Sequence, residues 1–256
     1  MLSIALTIQR GDQIVEPDLT PISRQETFCF SCSPQVPCFN ECCRDLTQFL
    51  TPYDILRLKN HLGLSSGQFL AQFTSQHIGP DSGLPIISLK PRDQQNLSCP
   101  FVASKGCSVY ENRPSSCRTY PLMRGVARDR KTGRMTEQFM VLKEPHCRGF
   151  VNGRIKTVQQ WIDEQGIAVY NKINDKLLQI ISLKNRRKSG VLDLKSRHLF
   201  FTALYDLDSF RSQITNNGLP AGCRFESSLV DKSLEDDVTL LEVGMSWITQ
   251  VLFDHI

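Results

Sequence analysis

Apolar and polar residues alternate at Leu2, Ile4, Leu6 and Ile8, the two-residue period of a strand with one buried face. Pro17, Pro21 and their polar neighbours interrupt the pattern and predict a linker. The period changes at Thr51. Ile55, Leu58 and Leu62 recur at helical spacing, Thr51 suits the N-cap, Pro52 the first turn and Asp54 the positive helix end, and Gly63 supplies a stop. A second short helix starts at Ser65, with Gln68 as its capping-box partner and Phe69, Leu70 and Phe73 as its inner residues. The two helices read as a small hairpin. Residues 84–90 and 135–143 read as strands, with Lys131-Thr132-Gly133 turning into the second. Farther on, Ile173, Leu177, Ile180 and Ile181 follow helical spacing, and Leu207-Asp208-Ser209-Phe210-Arg211 enters a helix. Residues 199–207 fit a strand or a buried helical turn equally well. Leu234, Val238, Leu241, Met245, Ile248 and Leu252 predict one face of a single long helix, with Glu235-Asp236-Asp237 near its start. The expected fold is α+β: a small irregular cysteine-rich metal-binding module with a few strands, residues 1–150, and a helical C-terminal region, residues 151–256.

Composition narrows the partners. With 40% hydrophobic and 22% charged residues, the 256-residue chain can build an ordinary core without covalent staples. Its net charge of +4 is spread among acids. The basic runs Arg128-Asp129-Arg130-Lys131 and Arg186-Arg187-Lys188 lack interleaved aromatics and read as solvated turns, so no nucleic-acid partner is expected. No apolar run reaches the roughly 18 residues of a membrane span, and the N-terminus lacks the basic region of a signal peptide. A cytoplasmic chain with reduced thiols is the expectation.

Against that background the ten cysteines stand out. Five crowd into Cys29-x2-Cys32-x5-Cys38-x3-Cys42-Cys43; Cys99, Cys107 and Cys117 follow beside turn residues, then Cys147, and Cys223 stands apart. Thiolates are natural ligands of zinc and of iron–sulfur clusters and poor ligands of magnesium or calcium. Independent core cysteines would not crowd into loops. Setting aside Cys29 and Cys223, the candidate ligands are Cys32, Cys38, Cys42, Cys43, Cys99, Cys107, Cys117 and Cys147. They suffice for two four-thiolate sites, or for one site drawn from both blocks with spare thiols beside it. In extended chain, the neighbours Cys42 and Cys43 would diverge and serve different metal atoms. The irregular spacing favours an iron–sulfur cluster, of the 4Fe-4S kind, over zinc, which remains the alternative.

The string from Phe28 through Cys43, followed by the Thr51-Pro52-x-Asp54 helix, resembles the CxxCxxCC cysteine-cluster proteins, also called the YkgJ type. So does Cys99-Pro100-Phe101, followed by Gly106-Cys107-Ser108-Val109-Tyr110-Glu111-x-Arg113-Pro114-x2-Cys117-Arg118-Thr119-Tyr120-Pro121. The likeness spans roughly residues 28–150. This chain has wider first spacings than many members, which leaves Cys29 as an alternate to Cys32 for the outermost ligand. The resemblance implies a zinc- or iron-chelating domain. A similar cysteine signature occurs in flagellin lysine methylases, which use S-adenosylmethionine.

Three functions are therefore carried forward. A cluster would serve electron transfer or redox-linked chemistry with an unidentified protein or redox partner; a structural zinc module would present a binding surface; a methylase-like enzyme would need a cofactor pocket. Arg113 and Arg118 could offset thiolate charge, or Arg113 could pin a loop carbonyl. His146 reads as a surface or outer-sphere residue, and Tyr120-Pro121 as packing. His61 suits the C-terminal end of its helix. There is no Gly-rich phosphate loop, nucleophile elbow or Rossmann glycine pattern.

Overall fold

The computed structural model describes residues 9–10, 13–14, 18–44, 47–80, 82–129, 132–187, 190–219 and 225–253. The strand expected over residues 2–8 and Cys223 lie outside the described residues. The fold is α+β, with short antiparallel sheets and many helices. It divides into two units. The first takes in Met1–Arg44, Val102–Cys107 and Ser116–Ala168, and the second Asp45–Phe101, Ser108–Ser115 and Val169–Ile256.

In the first unit, the strands Leu122–Arg128 and Met135–Lys143 form an antiparallel hairpin, and Asp18–Ile22 pairs with the hairpin's second strand. The turn between them closes on Asp129, whose carboxylate accepts from the Thr132 N–H at 2.6 Å. A separate ribbon pairs Thr27–Phe30 with Arg154–Thr157. Thr157 ends that ribbon and caps the helix Val158–Glu164 through a capping box with Gln160. The core collects Phe28, Phe30, Leu122, Phe139, Val141, Val158, Trp161, Ile162 and Ile167. Its rings meet edge to face: Trp161 lies 5.9 Å from Phe28 and 5.6 Å from Phe30, centroid to centroid.

The second unit opens with the two capped helices, Pro52–Leu62 and Ser66–Phe73, each carrying the expected capping box. Gly63 ends the first at φ 65°, a left-handed turn that glycine adopts without strain. A small sheet orders Phe49–Leu50, Pro85–Leu89 and Thr74–Ile78. Helices Leu194–Leu204 and Leu207–Asn217 follow the long helix Ile167–Arg187, which settles residues 199–204 as helix. The predicted terminal helix is two helices, Ser227–Glu235 and Asp237–Phe253. Asp236 separates them in extended backbone and takes the Thr239 N–H at 2.7 Å on its carboxylate. An N-cap side chain here competes with helix continuation, so Leu234 belongs to the earlier helix. The last helix is apolar nearly all round, with Leu240, Leu241, Ile248 and Phe253 fully buried, as a central core helix must be.

Two buried charges in this unit find different kinds of partner. Lys59 Nζ lies 2.9 Å from Asp237 and 3.6 Å from Asp208. Asp54 is fully buried and does two jobs. It completes the Thr51 capping box and accepts from the Ser115 N–H at 2.7 Å and its hydroxyl at 3.1 Å, tying the second cysteine motif to the first helix. Burial pushes its carboxyl above the usual range, against the pull of the Thr51 and Ser115 N–H groups. A carboxyl raised on folding makes the native state the better proton binder, so its contribution to stability falls as pH rises from about 4. The unfolding free energy of the wild type minus that of Asp54→Asn, from urea titrations between about pH 4 and 7, is expected to decline with pH. A rising difference would show that the Asp54 site favours the ionised form.

Candidate metal centre

The first unit brings together cysteine stretches far apart in the chain. The ribbon strand ending at Phe30 runs against residues 149–153, and the Ser31 N–H donates to the Gly149 carbonyl at 2.9 Å. This approach needs glycine. A Cβ on Gly153 would stand 2.4 Å from the Phe30 carbonyl carbon, and one on Gly149 would stand 2.7 Å from the Ser31 oxygen. Cys32 and Cys147 flank this contact in sequence, one residue after Ser31 and two before Gly149.

From Ser31 the chain runs through successive turns into a single 3-10 turn, Glu41–Cys43. Asn40 enters that turn at φ 69° and donates its amide to the Ala103 carbonyl at 3.0 Å. The turn is not extended chain, so Cys42 and Cys43 do not part as expected. Their side chains interact, which holds the Cys42 thiol below its ordinary range despite partial desolvation and the nearby Glu144. Cys38 accepts the Arg148 N–H on its sulfur at 3.0 Å. Burial pushes the Cys147 thiol up; the Tyr120 hydroxyl and the Gly149 N–H pull it back, and Cys38 lies beside it.

These residues line one cavity of about 30 Å³, walled by Cys32, Cys38, Cys42 and Cys147 together with Tyr120 and His146. The volume matches roughly one water molecule in the liquid. His146 Nε2 stands 3.6 Å from the Glu144 carboxylate. The Tyr120 hydroxyl is buried without a hydrogen bond of good geometry, and its polar neighbours are Cys147 and Glu144. Burial drives its pKa far up, so it stays protonated and can only donate to an anionic sulfur. Among the described residues, no three His, Cys, Asp or Glu side chains converge on a ready-made ion-binding point. The thiols ring the cavity without closing on it. Their chemistry nonetheless fits a thiophilic metal: four soft donors, N–H groups aimed at Cys38 and Cys147, and an orphan hydroxyl beside Cys147.

The remaining candidates lie elsewhere. Cys29 sits on the ribbon strand opposite Ile155, and its thiol donates to the Gly153 carbonyl at 3.3 Å. Cys43 is half-buried beside Cys42. Cys107 is half-buried on the strand Gly106–Cys107, and Cys117 is exposed on the helix Ser115–Thr119. Cys99 belongs to the second unit. All nine described cysteines are thiols rather than cystines. Arg113 donates to the Tyr110 carbonyl at 2.5 Å and stacks over its ring at 3.8 Å, while Arg118 donates to the Gln165 carbonyl. Tyr120, read from the sequence as packing, lines the cavity, and Glu144, which the sequence reading did not single out, stands beside His146 and Tyr120.

Residues 31–148 match the family model described as "CxxCxxCC: Putative zinc- or iron-chelating domain". The two cysteine motifs thus fall in a stretch similar to the zinc- or iron-chelating domain of that family. No curated protein and no solved structure matches the chain. No described helix is long and apolar enough to cross a membrane.

The glycine contact yields a direct check. Gly153→Ala forces a Cβ into the Phe30 backbone, and overpacking of this kind costs roughly 1–3 kcal/mol. Gly125→Ala meets only the Gln138 oxygen, at 3.9 Å, and serves as the control. Urea midpoints should drop for the first variant and hold or rise for the second. Equal midpoints would show that the 149–153 approach is not tight.

Proposed function

We propose that the protein is a metal-chelating protein in which cysteine-held metal orders the loop of residues 31–44. One observation carries this reading: not one side chain between Ser31 and Arg44 is buried. Ordering that backbone costs on the order of 1–2 kcal/mol per residue, roughly 14–28 kcal/mol in all. The loop's backbone hydrogen bonds, from Ser31, Val36, Phe39, Glu41, Cys43 and Arg44, offset roughly 3–9 kcal/mol. Hydrophobic burial contributes little. A structural zinc ion supplies about 10–16 kcal/mol in small zinc-dependent folds, enough to make up the difference. The metal's role when bound is to cross-link the loop to residues 147–149.

A single tetrahedral zinc ion is the first reading, because it needs no more donors than the four thiols that wall the cavity. A closed four-thiolate site of that sort is structural and leaves the surface around it to bind a partner. The second reading is a 4Fe-4S cluster working in electron transfer with a redox partner protein. It is favoured by the N–H groups directed at Cys38 and Cys147, since such hydrogen bonds to sulfur set cluster potentials. The likeness to flagellin lysine methylases rests on the cysteine signature alone and adds no further residue.

Protein prepared anaerobically and analysed for zinc, iron and sulfide tests both readings. A colourless protein with tightly held zinc is expected; a brown one with matching iron and sulfide would replace zinc by a cluster. In either case, chelation should lower the melting temperature and speed tryptic cleavage after Arg44, which lies exposed at the loop's end. Protein that takes up no metal under reconstitution, or whose loop resists trypsin equally without it, would end the proposal.

A further inference from the structure

The sequence offers eight candidate thiols and no way to pair them. Taking the metal-chelating reading as given, we infer that Cys32, Cys38, Cys42 and Cys147 together hold one ion, and that Cys43, Cys107 and Cys117 are not its ligands. The ligand set is therefore three thiols from the first cysteine block and one from about a hundred residues later. Neither block forms this site on its own.

Four observations converge on this set. These four thiols wall one small cavity, and Cys43, Cys107 and Cys117 do not line it. Cys38 and Cys147 lie against one another across it. An N–H group reaches one of these sulfurs, from Arg148 to Cys38 at 3.0 Å, the arrangement that outer partners make around metal-bound thiolates. The Tyr120 hydroxyl stands beside Cys147 as a further donor. His146 also faces the cavity, but the Glu144 carboxylate stands 3.6 Å from its Nε2. It is assigned an outer role. Cys29 is spent on the Gly153 carbonyl, which selects Cys32 as the outermost ligand. Four thiols are the donor number of one closed tetrahedral site. Binding replaces four S–H protons with four metal–sulfur bonds; the protons pass to solvent, and no electron moves.

The test uses full-length protein and single serine variants, with bound metal counted by native mass spectrometry and elemental analysis. Cys32→Ser, Cys38→Ser, Cys42→Ser and Cys147→Ser should each lose the same one equivalent of zinc. Cys43→Ser, Cys107→Ser and Cys117→Ser should keep it. Serine variants that misfold would lose metal indirectly, so histidine replacements supply a second readout with cobalt as the probe. Cys42→His and Cys147→His should still bind cobalt, with weaker thiolate-to-metal charge-transfer absorption and shifted visible bands, because one sulfur becomes nitrogen. Cys107→His should leave the spectrum of this site unchanged. Retention of the full equivalent by Cys147→Ser, its loss in Cys107→Ser or Cys117→Ser, or an unchanged cobalt spectrum in Cys147→His would overturn the assignment. Wild-type protein that binds no metal at all would instead overturn the metal-chelating reading beneath it.

Discussion

The first unit depends on one close backbone approach. Phe30 and Ser31 lie against Gly149 and Gly153, so tightly that neither glycine has room for a Cβ. The contact joins parts of the chain more than a hundred residues apart, yet the distance matters little. Loop-closure entropy grows only with the logarithm of length, so such a pairing costs scarcely more than a shorter one. What it requires is a rigid partner surface. Phe28 and Phe30 provide it by packing edge to face on Trp161, while the Trp161 indole N–H donates to the Thr119 carbonyl at 3.1 Å. The aromatic core fixes the strand, the strand fixes Ser31, and the loop that follows begins from a defined point beside residues 147–149.

Two modes of ordering coexist in the chain. The helix Asp237–Phe253 is held by apolar burial, and its few charges sit at the start, where Asp237 meets Lys59 and Arg211 as well as the positive helix end. The loop of residues 31–44 has the opposite composition, with turns, prolines and thiols but no buried side chain. A hydrophobic core cannot hold such a segment, because nothing in it reaches a core. Thiols are prominent among the groups it contributes, and on the metal-chelating proposal they are what anchors it.

Local chemistry made much of this fold legible beforehand. The capping boxes at Thr51 and Ser65, the left-handed stop at Gly63 and the strand Met135–Lys143 all follow from short-range rules and stand as read. The misses came where one local preference beat another. Asp236 capped a new helix in the middle of a continuous apolar stripe, and the 3-10 turn at Glu41–Cys43 brought together two thiols that an extended chain would have separated. Tyr120 was read as packing. It does pack on Phe30, at 5.6 Å between ring centroids, but its hydroxyl end reaches the thiol cavity, a duality that residue type alone does not reveal. The approach of residue 30 to residue 153 left no periodic trace, because close contact there is marked only by the absence of side chains.

On the proposed ligand set, charge around the cavity favours a cation among the sulfurs. Four thiolates would gather four negative charges, and Glu144 adds another within reach of Cys42. Among the contacts of the arginines expected to balance them, Arg113 stacks on Tyr110, and Arg118 donates to the Gln165 carbonyl. The groups seen at the sulfurs are neutral, namely the N–H groups of Arg148 and Gly149 and the hydroxyl of Tyr120. Dipoles of this kind orient a thiolate and take up part of its charge, but they cannot neutralise four of them. A divalent ion can offset half the total from the centre of the group, leaving the dipoles a residual charge they can stabilise. Neutral outer donors, an acidic neighbour and soft ligands thus belong to one design, in which the cation supplies what the surrounding protein leaves out.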